Sequence, residues 1–401
     1  METDRGIERV LQIHTRYREA GGEDRVVETE RSLLESAGIS VRQVIFDNAD
    51  LREGASRLGD IALAGRSVWN RRAAQVVSSA VKAHRPDAVH VHNTFAAASA
   101  SVYRAVGMLV VQSLHNYRLF CAPATAFRDS HACTDCLGRT VPWPAVAHRC
   151  VQGSLSRSLV AATALTFHRV VRTYDRAIGA YVALTEFQRR LMADGGLPRD
   201  RIEVIPNFLE PDPGVENIER RGVTYVGRLS PEKGIGQLLE AAKAASAMIR
   251  IIGAGPLHDD VNRAAQAGLV VAAGPKCSAD VVSEMRRAVS VVVPSIWFEG
   301  FPMVVIEAFA TGTPVIASRI GSLADIVEDG VTGLLTRPED PDDLARQIRW
   351  ALEHPDHMAE MGREARRRYV TRYRGPAHLA ALLAVYQNVR DMTLTSARGT
   401  A

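Results

Sequence analysis

Two short stretches bring together side chains suited to chemistry on an anionic, hydroxyl-bearing ligand. The first is Val226-Gly-Arg-Leu-Ser-Pro-Glu-Lys-Gly234. Residues 223–226 read as a strand that ends at Gly227. Ser230 is expected to cap a helix, with Pro231 in its first turn and Leu238, Leu239 and Ala242 further along. Arg228 and Lys233 then sit beside the free N–H groups of a helix N-terminus. Cations there are unfavourable until an anion joins them, so a phosphate would account for both. The alternative is two solvated charges on a loop. The second stretch is Glu299-Gly-Phe-Pro-Met-Val-Val-Ile-Glu307. Gly300 and Pro302 place Glu299 in a loop before a helix over 302–311, which Gly312 and Pro314 stop. That helix is apolar all round and should be buried. Glu307 within it needs a hydrogen-bonding partner. A sugar or ribose diol would serve, as would a structural ion pair.

Cys121, Cys133, Cys136 and Cys150 form a third constellation, in a Cys-, Pro- and His-rich segment over 116–153. One C-x-x-C and two flanking cysteines could close a tetrahedral zinc site, which would staple a segment short of core residues. Buried free thiols or a redox pair are the other readings. His131 and His148 are spare ligand candidates, and Cys277 stands apart. Asp340-Pro-Asp342 precedes a helix and is more simply its cap. No catalytic metal or other catalytic cofactor is therefore expected. Gly253-Ala-Gly255 is only a partial dinucleotide fingerprint and suits close packing or approach to a base.

These residues need a scaffold of alternating strands and helices. Strands are expected at 10–14, 39–46, 88–92, 108–114, 181–184 and 202–205. After a Pro-rich stretch (Pro206, Pro211, Pro213, Gly214) they resume at 223–226, 248–252, 269–272, 289–293 and 315–317. Each strand is followed by a helix-length segment, a pattern that implies parallel sheets with right-handed crossovers. The expected class is α/β: two Rossmann-like domains facing a central cleft. The divisions are 1–206 with the cysteine insertion, 207–375, and a final helix over 376–401 packing back on the first domain. The basic run over 363–374 reads as a solvated helix face. With 401 residues, 46% hydrophobic and 23% charged, the chain has ordinary globular composition. A net charge of +4 is too weak to argue for nucleic acid. No apolar run is long enough for a membrane span, and the charged N-terminus lacks a signal-peptide core. A cytoplasmic protein without structural disulfides is expected.

The spacing of Glu299 and Glu307, together with the Gly-Arg-Leu-Ser-Pro-Glu-Lys-Gly run, resembles the family 4 retaining glycosyltransferases of GT-B architecture. Pro294-Ser295, Thr313-Pro-Val-Ile-Ala-Ser318, Gly330-Val-Thr-Gly-Leu-Leu335, Val204-Ile-Pro-Asn207 and Gly21-Gly22 extend the similarity along nearly the whole chain. The resemblance implies a nucleotide-sugar donor, UDP- or GDP-linked. It implies Arg228 and Lys233 on the diphosphate, Glu307 on the ribose, and Glu299 on donor-sugar hydroxyls. Backbone at Gly300, Phe301, Pro302 and Met303 would assist, and Gly22 would let backbone approach the leaving phosphate. His115 matches the family's N-domain histidine near the reacting sugar. His14, His92 and Asn93 follow strands and could line the acceptor side. The family retains anomeric configuration, and no carboxylate pair for a double displacement is evident. A front-face displacement fits, with the departing phosphate taking the acceptor proton.

Two other classes compete. One is a nucleotide-sugar hydrolase or epimerase of the same fold, and the other is a zinc-containing binding module. The expected acceptor is a lipid-linked glycan or polysaccharide intermediate, with a small natural product second. Arg157, Arg169 and Arg172 raise peripheral contact with an anionic inner-membrane face, against a simpler reading as a solvated helix face.

Overall fold

A computed structural model describes residues 6–17, 22–50 and 65–398. Gly21 of the N-terminal glycine pair lies outside the described residues. Two six-stranded parallel sheets organise the molecule. The first contains β1 (Arg9–Arg16), β2 (Ser40–Asp47), β3 (Ala88–Val91), β4 (Val110–Ser113), β7 (Ile178–Ala183) and β8 (Ile202–Val204) in the order β2-β1-β3-β4-β7-β8. Between β4 and β7, the cysteine-rich insertion holds only a two-residue hairpin, β5 (Phe127–Arg128) with β6 (His131–Ala132), and the short helix Trp143–Ala147.

The second sheet contains β9 (Val223–Val226), β10 (Ile249–Ile252), β11 (Val270–Gly274), β12 (Ser290–Val293), β13 (Val315–Ser318) and β14 (Gly333–Thr336) in the order β11-β10-β9-β12-β13-β14. This is a doubly wound order, which reverses direction between β9 and β12. A crevice must open there beyond the carboxyl ends of the strands. In the first sheet the reversal falls between β1 and β3. Both sheets are buried on two faces, which explains their near-continuous apolar strands. Val291, Val292, Ile316 and Ala317 are fully enclosed.

Residues 205–222 connect the halves without regular structure. The helices Pro355–Arg372 and Gly375–Arg398 follow the second sheet. Leu382, Val385, Tyr386 and Val389 of the last helix join Val10, Ala88, Val111 and Val182 in one core cluster, so the chain end covers the first sheet. The basic run is not simply a solvated face. Arg366 grips Asp212 of the connection with both terminal nitrogens (2.7 and 2.8 Å), and Arg374 holds Glu210 (3.0 Å).

Candidate functional site

The segment after β9 differs from its sequence reading. Pro231–Lys233 is a single 3₁₀ turn, and the α-helix Ile235–Ala245 begins after it. Ser230 does not cap, because its hydroxyl turns to Glu232 (2.5 Å). Gly234 is the N-cap, at φ 73°. A Cβ there would lie 1.9 Å from the carbonyl oxygen of Pro294, so only glycine lets the β9 and β12 loops touch. Lys233 is delivered to the crevice by that turn.

Glu299 follows β12 and is 5% exposed. Both its oxygens accept from Lys233 Nζ (2.7 and 2.9 Å), and Ser295 Oγ donates to Oε1 (2.7 Å). Burial works against ionisation, but the Lys233 charge and these hydrogen bonds outweigh it and hold the carboxyl below its ordinary value. Lys233 therefore faces Glu299 in this state, rather than standing free for a phosphate. Arg228 is exposed, and its side chain makes no hydrogen bond or ion pair with another described residue.

The helix after Glu299 runs Met303–Ala310, with Pro302 as N-cap. Its first N–H groups, at Met303 and Val304, face the crevice end without intrahelical partners. Glu307 is only half-buried, so the helix is not closed all round. Burial raises its carboxyl above the ordinary value, and the charge of Arg25, from the helix Gly22–Ser36 of the other half, opposes that rise. Among the described residues no group hydrogen-bonds the Glu307 carboxylate. Gly22 opens the helix that carries Arg25, with nothing within 4 Å of where a side chain would start.

The two halves meet at this point. Tyr117 OH donates to the Glu299 carbonyl (3.1 Å), and Phe298 packs against Phe187 and Tyr117. A Cβ on Gly300 would fall 2.6 Å from the His115 carbonyl oxygen. His115 is thus brought directly beside the Glu299–Gly300 backbone. Its Nε2 lies 3.0 Å from His92 Nδ1. Burial, then the neighbouring His92, holds His115 well below the usual histidine range.

His14 is enclosed, with Nε2 2.8 Å from Asp24 Oδ1. Asn93 is spent on a turn, donating to the Thr15 carbonyl (3.0 Å) and accepting from Phe95 N–H (3.1 Å), so it is structural rather than ligand-facing. Gly253 and Gly255 pack on the backbone of Gly227 and Leu229, and Asp340 caps its helix by accepting from Asp343 N–H (2.8 Å).

The four insertion cysteines line one cavity of about 20 Å³, with Phe120, Pro144 and Ala145. Burial pushes the Cys121 thiol up to about 11 and raises Cys136 and Cys150. His131 and His148 are exposed and do not line that cavity, so neither serves as a spare ligand there. Among the described residues, only Glu30, His90 and His92 bring three metal-capable donor atoms within 4.8 Å of one another. The thiols share a cavity without closing to that spacing. Cys277 is exposed and donates to Asp280.

Sequence reasoning missed Arg25, and it missed Tyr17, Glu23, Asn116 and Arg118, which interact with one another after β1. Asn116 donates to Tyr17 OH (3.1 Å), and burial lifts the Glu23 carboxyl to about 8. They come from loops and a helix start with no distinctive spacing. It also missed Gln12, Glu30 and Ser113. For Gln12 a signal was present, polar residues at every second position of an apolar strand, Gln12 with His14 as His90 with His92; Glu30 in its helix and Ser113 after Val111 carried none.

The chain matches the family described as Glycosyltransferase Family 4 over residues 20–213, and the one described as Glycosyl transferases group 1 over residues 210–368. The chain belongs to the family 4 glycosyltransferases. This family 4 chain is 30% identical over 220 residues to the D-rhamnosyltransferase WbpZ of Pseudomonas aeruginosa, covering 50% of this chain and 56% of that one. It is 33% identical over 188 residues to D-inositol 3-phosphate glycosyltransferase 2 of Catenulispora acidiphila, covering 42% and 43%. The match thus spans about half the length of these curated relatives. The fold is that of GT-B enzymes. Anabaena HepE, solved with UDP and glucose, superposes with a TM-score of 0.62 at 18% identity, covering 96% of this chain and 99% of that chain. Sucrose-phosphate synthase of Thermosynechococcus elongatus gives 0.66 at 18%, covering 95% and 99%. No helix among the described residues is long and apolar enough to cross a membrane.

Proposed function

We propose that the chain transfers a glycosyl unit from a UDP- or GDP-sugar to a hydroxyl acceptor with retention of configuration. The observation that carries this reading is the crevice at the β9/β12 reversal. There Lys233, Glu299 and the helix Met303–Ala310 face Arg25 and His115 of the other half, Arg25 lying in the helix that Gly22 opens. Arg228 and Lys233 bind the diphosphate, and Lys233 exchanges part of its contact with Glu299 for phosphate oxygens. Glu307 accepts from the ribose diol, which would satisfy a carboxylate that otherwise lacks a donor. Glu299, released from Lys233, accepts from donor-sugar hydroxyls, with backbone at Gly300, Phe301, Pro302 and Met303 alongside.

In the reaction the bond between the anomeric carbon and the phosphate oxygen breaks, and the acceptor oxygen attacks the same face. The departing phosphate takes the acceptor proton while Arg228 and Lys233 stabilise its charge. The acceptor is read as a lipid-linked glycan. Residues 137–174 hold five arginines and no acidic residue, and Trp143, Leu155, Leu159, Phe167 and Val170 are exposed there. An apolar stripe among arginines suits an anionic lipid surface. The cysteine cavity is assigned a structural zinc ion.

Melting curves of the purified chain with UDP, GDP and other nucleotides test the donor reading, since a ligand bound only to the native state raises the midpoint. A rise with one base, followed by sugar transfer rather than free sugar release, is expected. Release of free sugar with every acceptor would favour a hydrolase. Co-sedimentation with anionic but not neutral vesicles tests the lipid surface.

A further inference from the structure

A chain of polar side chains runs from the crevice into the core of the N-terminal half. At its inner end Glu30, in the helix Gly22–Ser36, is 2% exposed. Gln12 Nε2 donates to Oε1 (2.8 Å), His90 Nδ1 lies 2.9 Å from the same oxygen, and His378 Nε2 lies 3.4 Å from Oε2. Burial opposes ionisation of Glu30, but His90, His92 and the hydrogen bonds from His378 and His90 outweigh it and hold the carboxyl well below its usual range. Next, His92 Nε2 is 3.4 Å from Glu30 Oε1. On its other side, His92 Nδ1 meets His115 Nε2 at 3.0 Å, with the two ring planes within 18°. Burial first, then His90, brings His92 down to about 4 despite Glu30. The titratable groups around it are Glu30 from the helix, His14 from β1, His90 on its own strand and His115. Tyr386 and His378 of the last helix reach it through His90 and Glu30.

A neutral imidazole carries one N–H, and its position is set by what the other nitrogen meets. His92 Nε2 makes no hydrogen bond among the described residues, but the Glu30 carboxylate 3.4 Å away attracts a proton to that nitrogen electrostatically, which leaves Nδ1 as a lone pair. The 3.0 Å contact is then attractive only if His115 Nε2 carries the hydrogen. His115 Nδ1 remains as a lone pair, with no protein partner among the described residues.

We propose that Glu30 and His92 are positioning residues that hold His115 in its Nε2–H form, so that Nδ1 is presented to the crevice as a hydrogen-bond acceptor. Resting on the reading of His115 beside the reacting sugar, this makes the donor hydroxyl that meets His115 a hydrogen donor. A sugar with fluorine or hydrogen at that carbon is therefore a poor substrate.

The test is ring-nitrogen NMR of the full chain labelled with ¹⁵N-histidine, with His115 assigned by His115→Asn. At neutral pH, His115 is expected with Nε2 protonated and Nδ1 bare. Glu30→Gln should remove the preference, giving mixed His92 and His115 tautomers, with kcat falling roughly tenfold to hundredfold and more than KM rises. His92→Asn serves if Glu30→Gln does not fold, and should shift His115 in the same sense. A wild-type His115 protonated at Nδ1 overturns the proposal, as does a pattern unmoved in both variants. Stoichiometric metal in the wild-type chain that is lost with Glu30→Gln also overturns it. The ring pattern is read without substrate. An intact pattern in a chain that transfers no sugar would therefore count against the function and leave the positioning chain standing.

Discussion

Removing Lys233 strips a buried Glu299 carboxylate of its countercharge. Glu299 is held below its ordinary value in the fold. Its contribution to stability is therefore present above the unfolded carboxylate range and lost as pH falls through the folded value. Lys233→Ala should lower stability at neutral pH by about 1–3 kcal/mol, since the lysine is partly exposed. The deficit should shrink on acidification, as Glu299 takes up a proton in the variant. Paired melting curves across pH check this. Lys233→Met with Glu299→Gln should recover most of the melting temperature and none of the transfer activity. Recovery of both would make the pair purely structural. Glu307 has the opposite sign: its folded value is raised, so stability is lost as pH climbs from the unfolded carboxylate value, and the loss is complete once pH passes the folded one. Glu307→Gln should match or exceed the wild-type melting temperature at neutral pH, yet lose the stabilisation by UDP or GDP. An undiminished nucleotide shift would remove Glu307 from the ribose site.

Elements bring these residues together through contacts that pattern alone does not display. A helix start near Ser230 was readable, but not the 3₁₀ turn that moves the cap to Gly234, nor the Pro294 carbonyl that allows only glycine there, a constraint from the neighbouring loop. Glu299 and Glu307 were readable from Gly300, Pro302 and the apolar run between them. Arg25 was not, because its meeting with Glu307 depends on how the two halves face each other. The insertion is the element with least core of its own, and its cysteines line a cavity of about 20 Å³. Zinc bonds to thiolate sulfur at about 2.3 Å, so binding must draw the four sulfurs inward and remove the protons that burial favours on Cys121, Cys136 and Cys150. Cys133→Ser and Cys136→Ser should each lower the melting temperature and abolish about one equivalent of zinc, measured by elemental analysis. Each should leave the donor KM unchanged. Zinc-free wild-type protein with the same melting temperature as these variants would assign the thiols to packing alone.

At the scale of the whole molecule, the strand alternation and the Pro-rich connection made two α/β halves legible. Sheet order supplied the rest: both reversals point at one crevice, which fixes where ligands can sit. The contacts that close the crevice were not legible, because they join residues more than a hundred positions apart. Thr185 meets Ser322 (3.0 Å), and Asp325 accepts from Phe187 N–H and from Arg190 (3.1 Å). These lie next to Phe298 and the Glu299 loop, so they favour the arrangement in which His115 touches Gly300. Charge-assisted hydrogen bonds contribute about 1.5–3 kcal/mol each when shielded. Arg190 is half exposed, so the loss at Asp325 should fall near the bottom of that range, close to a tenfold shift in the closed population. Asp325→Ala should therefore raise the donor KM by the inverse of the remaining closed fraction, with about tenfold as the ceiling. Its small-angle scattering should show a larger radius of gyration without ligand and a wild-type radius with saturating nucleotide. A variant with unchanged KM and unchanged scattering would mean that apolar packing of Phe298 on Tyr117 and Phe187 holds the halves together without this polar latch.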